Sequence, residues 1–154
     1  MDGKLRGSLA TLSAADMTQR RGAENNGAGI TVAESTRTKL AADLVVAGGL
    51  AFVSGVGPVD PEDERVPLPE KVEAQVRRIF ANLDAILERA GLARKDLAFV
   101  RIHLVDFERL IGRVNKTYLQ CLGEAALPAR TVVGVTKLTR EALVEMDFVV
   151  RAEG

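Results

Sequence analysis

The chain has 154 residues, 47% of them hydrophobic and 27% charged, with 21 basic and 21 acidic side chains and no formal net charge. That is the composition of an ordinary folded domain with an appendage, and the charge balance argues against a nucleic-acid partner, whose footprint is a strong basic excess. A lone cysteine, Cys121, and a lone histidine, His103, exclude an intrachain disulfide and an intrachain Cys/His zinc site, so no metal is expected. The sequence has no apolar run of about 18 residues and no signal-peptide core in its first thirty positions, so the expectation is a cytoplasmic protein without a membrane partner.

Residues 1–36 are rich in Gly, Ala, Ser, Thr and Asn and contain no aromatic residue. Such a segment buries too little apolar surface to offset its ordering entropy, which predicts a flexible N-terminal extension before a domain over 37–154. Within it, Leu9–Met17 could form a short helix and Ile30–Ala33 a short strand.

A hairpin is predicted next. Leu44–Ala47 and Leu50–Ser54 flank Gly48 and Gly49, a pair that accepts the positive φ of tight turns. The following Ser54-Gly55-Val56-Gly57-Pro58 is either a turn, the commoner case for such glycines, or an amide cradle for an anion. Pro69 and Glu70 suit the first turn of a helix. Val72, Val76, Ile79, Phe80, Leu83, Ile86, Leu87 and Ala90 then recur every three or four residues, and Gly91 ends the run.

Leu97–Val105 alternates as a strand, with Phe99, Arg101, His103 and Val105 on one face. His103 belongs to no catalytic motif and reads as a structural or interface residue. Asp106 is placed to cap a second helix over about Phe107–Glu124, whose apolar stripe includes Val114, Tyr118 and Cys121.

Two more strands, Leu127–Val135 and Leu143–Val150, close the order ββαβαββ and look like a second hairpin through residues 137–142. Both helices can cover one face of a single mixed α+β sheet. The other face would carry Leu143, Val149, Phe99 and Val105 among Arg101, His103, Glu145 and Asp147, a mixture that predicts self-association. Arg130, at the start of an apolar strand, needs an anionic partner because its guanidinium cannot shed charge. Glu145 on the last strand is the candidate counterpart. The two are either a functional centre or, more commonly for such residues, a cross-strand ion pair.

Several of these stretches resemble the RidA/YjgF family of reactive intermediate deaminases. They are Gly49–Gly55 followed by Pro58, the helix Val72–Leu83, Val114-Asn115-Lys116-Thr117-Tyr118, and Leu127-Pro128-Ala129-Arg130-Thr131. The resemblance runs from about Lys39 to Arg151. It implies a chorismate-mutase-like fold and a homotrimer with clefts between subunits. It also implies cofactor-free hydrolysis of 2-imino and 2-enamino acids to 2-keto acids and ammonia. Arg130 matches the family's carboxylate-binding arginine, Glu145 the acid that positions the attacking water, Asn115 the asparagine of the Val-Asn motif and Gly55 the glycine of the cleft loop.

Two positions depart from the family pattern. Thr38–Asp43 lacks the tyrosine that lines the cleft in deaminase members, and Val56 stands where Gln is usual. A non-catalytic trimer binding small carboxylates is therefore the rival expectation. A ribonuclease or translation inhibitor is disfavoured by the charge balance.

Overall fold

The computed structural model describes residues 31–33, 40–124 and 127–152. The helix expected over Leu9–Met17 lies outside them. The strands are β1 (Thr31–Ala33), β2 (Leu44–Ala47), β3 (Leu50–Val56), β4 (Leu97–Val105), β5 (Ala129–Val135) and β6 (Val144–Arg151). Helix α1 (Val72–Arg89) joins β3 to β4, and α2 (Phe107–Leu122) joins β4 to β5. All six strands form one sheet in the order β1-β2-β3-β6-β4-β5. The fold is the expected α+β arrangement, with β1 added as a short antiparallel edge strand opposite Val46 to Leu44 of β2.

The β2–β3 hairpin turns at Gly48 and Gly49, whose φ values of 59° and 74° belong to the left-handed region. The expected second hairpin does not form. After β4 the chain crosses over through α2 and returns as β5, parallel to β4, which is the connection a helix of this length permits. Strand β6 then enters antiparallel between β3 and β4. Its apolar residues explain the central place. Val144, Met146, Phe148 and Val150 are all buried, whereas Val133 of β5 is 41% exposed, as suits an edge.

Helices α1 and α2 lie together on the face that carries these buried residues. The core joins Val76, Ile79, Phe80 and Leu83 of α1 to Leu110, Val114 and Tyr118 of α2 and to Val100, Ile102 and Leu104 of β4. Each fully buried side chain of this size contributes about 1.5–3 kcal/mol. Helix α1 starts at Val72, later than the proline suggested, because Lys71 is extended (φ −86°, ψ 134°) and the first helical bond runs from the Gln75 amide to Lys71 O, while the Pro69 carbonyl in the loop accepts from Gln75 Nε2 (2.8 Å). Its end follows the prediction. The Gly91 amide bonds Glu88 O and the Leu92 amide bonds Leu87 O, with Gly91 at φ 70°. Asp106 does precede α2, but its side chain makes no capping bond. Its carboxylate pairs instead with Arg109, and Asp106 takes φ 52°.

No described element covers the opposite face. It exposes Phe52 (47%) beside half-buried Phe99, Val105 and Val149. The Arg101 guanidinium is paired there with Asp147 of the adjacent strand (3.0 and 2.7 Å).

Candidate active site

Arg130 opens β5 opposite Val100, a fully buried residue, so its side chain leaves the sheet on the helix-covered face. Gly134, four residues on, approaches Phe107 of α2 from that same face. There Arg130 Nη2 donates to Asn115 Oδ1 (2.6 Å), and the guanidinium lies over the Tyr118 ring, 4.6 Å from its centroid. Nε is buried without an acceptor among the described residues. Among the described residues no carboxylate pairs with Arg130. Desolvation pulls its pKa below the usual arginine value, with only Tyr118 opposing. The anionic partner expected from the sequence is therefore not supplied by these parts of the chain.

Glu145 alternates with Val144 and Met146, which point into the core, so it stands on the open face. It is opposite His103 on β4. On its other side β3 is irregular between Val53 and Val56, and this places Gly55 under the carboxylate. A Cβ at Gly55 would lie 2.6 Å from Glu145 Oε1, so this approach requires glycine. Among the described residues Glu145 has no hydrogen-bond or ion-pair partner.

The loop around Gly55 does not form an anion cradle at Ser54. The Ser54 amide donates to Asp43 O (3.0 Å) and its hydroxyl to Ala42 O (2.5 Å). Val56 is fully buried in the core and presents no side chain to the open face.

Within one chain, then, Arg130 and Asn115 come together, and so do Glu145 and Gly55. The two pairs do not meet. They lie on opposite faces, with β4 between the strands that carry Arg130 and Glu145. The cross-strand ion pair between Arg130 and Glu145 is ruled out by the strand order, since β5 and β6 are not neighbours.

The sequence profile described as Endoribonuclease L-PSP matches residues 34–152. A RutC family protein of Pyrococcus abyssi is 33% identical over 106 residues, covering 69% of this chain and 81% of the relative. The protein named 2-iminobutanoate/2-iminopropanoate deaminase in Salmonella typhimurium is 34% identical over 104 residues, covering 66% of this chain and 79% of the relative.

The chain belongs to the RidA/YjgF family.

Structure agrees with sequence. The crystal structure of RidA from the Antarctic bacterium Psychrobacter sp. superposes with a TM-score of 0.67 at 28% identity, covering 77% of this chain and 93% of that one. The YjgF gene product of Escherichia coli gives a TM-score of 0.68 at 27% identity, covering 78% and 92%.

Three side chains that position these candidate residues carry no functional signal of their own in the sequence. Tyr118 belongs to the apolar stripe of α2 and to the Val114–Tyr118 motif, and nothing in either marks it as the platform under Arg130. Gln75 and Asn82 interrupt the apolar face of α1, yet both are buried. Gln75 bridges Pro69 O and the amide of Leu143 (2.8 Å each), fixing the start of β6 two residues before Glu145. Asn82 Nδ2 donates to Gly57 O (3.1 Å) and Val59 O (2.9 Å), fixing the loop beyond Gly55. The signal available for these two amides was structural, because a buried amide on an apolar helix face must have partners.

Proposed function

We propose that this RidA-family protein is a homotrimeric 2-imino and 2-enamino acid deaminase whose cleft combines two subunits. Arg130 and Asn115 come from one, Glu145 and Gly55 from the next. The observation that carries the reading is a desolvated arginine with no carboxylate partner among the described residues, on the face opposite an unpartnered glutamate. Relatives named 2-iminobutanoate/2-iminopropanoate deaminase in Salmonella typhimurium and Escherichia coli, 34% and 33% identical, support it.

In this reading Arg130 receives the substrate carboxylate through its free N–H groups and fixes the adjacent C=N carbon in position. Water adds to that carbon while Glu145 takes one of its protons. That proton passes to nitrogen to give a carbinolamine, the carbinolamine hydroxyl then gives up its own proton, which also ends on nitrogen, the C–N bond breaks, and ammonia and a 2-keto acid leave. The chemistry needs no metal or redox cofactor. The second reading, a non-catalytic binder of small carboxylates, is favoured by the absence of a tyrosine in Thr38–Asp43 and by the inward-facing Val56.

Coupling an amino-acid dehydratase to the purified protein and following 2-keto acid release separates the two. Deaminase function predicts faster release than in buffer. Carboxylate binding with an unchanged rate would leave only the binder.

A further inference from the structure

Resting on the reading of Arg130 as carboxylate anchor, we propose that Tyr118 is the positioning residue for that anchor, its ring face holding the guanidinium ready for an incoming anion. A site that must bind a carboxylate cannot hold its arginine with a carboxylate, because the internal partner would occupy the donors and neutralise the charge. An aromatic face attracts the cation through its quadrupole and leaves every N–H free. The geometry around Arg130 has this form. The guanidinium carbon is 4.6 Å from the Tyr118 centroid, and among the described residues the only side-chain hydrogen bond of the guanidinium is to neutral Asn115 at Nη2. With Nε shielded, Nη1 and the second Nη2 proton are the donors left for an end-on carboxylate.

The ring is itself fixed. Tyr118 is 3% exposed and meets Phe80 edge-on, with centroids 6.0 Å apart, and Phe80 in turn meets Phe148 at 6.1 Å. An aromatic ladder anchored in the core therefore carries the cation at its outer end. The Tyr118 hydroxyl contributes nothing to this. It is buried and has no hydrogen-bond partner among the described residues. The position uses the ring and not the phenol, which separates Tyr118 from a residue acting by acid–base chemistry.

The test measures KM and kcat in the coupled deaminase assay, with dissociation constants for small 2-keto acids by calorimetry. Tyr118→Phe should match the parent within about twofold and unfold no earlier, since it deletes an unpartnered hydroxyl. Tyr118→Leu should raise KM and the dissociation constant about three- to thirtyfold, with a smaller effect on kcat. Fluorinated phenylalanines installed at position 118 keep the shape and weaken the quadrupole stepwise. Affinity should fall with each added fluorine while the unfolding temperature holds, a trend that core filling alone would not produce. This series decides the matter even if Tyr118→Leu fails to fold. A flat fluorine series in a protein that binds 2-keto acids overturns the role of Tyr118 alone. A parent that binds no 2-keto acid overturns the anchor reading and this inference together.

Discussion

Arg130 and Glu145 stood out in the sequence as candidates, Arg130 as a cation at the start of an apolar strand and both as matches to residues of the RidA/YjgF pattern. Their separation onto two faces was not legible, because it depends on where β6 enters the sheet. Each can be tested by substitution. A charge-assisted bidentate contact contributes roughly 1.5–3 kcal/mol, so Arg130→Ala should weaken 2-keto acid binding about ten- to a hundredfold. Arg130→Lys should lose much of the same affinity, since an ammonium neither forms the planar fork nor stacks as well on Tyr118. Calorimetric titration checks both, and unchanged binding in Arg130→Ala would make the residue structural only. Gly55 offers a complementary test. Its added methyl would meet Glu145 Oε1 at 2.6 Å, the mobile end of a side chain, so Gly55→Ala should displace the carboxylate and leave the fold intact. We expect a large fall in kcat with a melting temperature within a few degrees of the parent. Full activity in Gly55→Ala would show that the carboxylate position is not critical.

At the scale of elements, local periodicity carried most of the fold. Both helices and the strands of the domain were visible as alternations of three to four or of two. The error was a pairing. Two strands six or seven residues apart look like a hairpin, and nothing local reveals that β6 pairs with partners some forty and ninety positions earlier. The β4–α2–β5 order held the clue, because a helix between two strands sets them parallel.

Two contacts between elements yield predictions. Asn82 spans from α1 to the loop after Gly55 with two bonds. Asn82→Leu would strand both carbonyls and should cost about 1–3 kcal/mol in denaturant unfolding, with reduced turnover as the loop loosens. Glu73 of α1 and Arg113 of α2 form two bonds of 2.7 Å. The Arg113 hydrogen bonds, with help from a backbone amide, lower the Glu73 pKa from 4.5 to about 2. A depressed carboxylate pKa stabilises the fold above the unfolded value and loses that contribution as pH falls through the folded one. The melting temperature of Glu73→Gln should therefore lie below the parent at neutral pH. The gap should close between pH 4.5 and about pH 2. A gap that stays constant across this range would mean the pair is not coupled to folding.

For the whole molecule, the uncovered sheet face decides the behaviour. Phe52, Val149 and Phe99 form one apolar row across β3, β6 and β4, and Val105 lies further along β4 beyond Arg101 and His103, a mixed face expected to be covered by self-association. Light scattering at micromolar concentration should give about three chain masses, and a stable monomer would remove the shared cleft. The sequence alone raises the same expectation, because the alternation of β4 and β6 places apolar and charged residues together on a face with no helix left to cover it. It could not show that one chain places Arg130 and Glu145 on opposite faces, the arrangement from which we propose a cleft divided between subunits.

That division is the central claim, and hybrid trimers test it directly. Arg130→Ala and Glu145→Gln homotrimers should each be nearly inactive. Chains of the two variants are then unfolded, mixed in equal amounts and refolded together. If each cleft takes its arginine from one subunit and its glutamate from the next, about a quarter of the clefts regain both native residues, and deaminase activity should recover to about a quarter of the parent. Hybrid trimers as inactive as either variant alone would show that both residues act from the same chain, and would contradict the account.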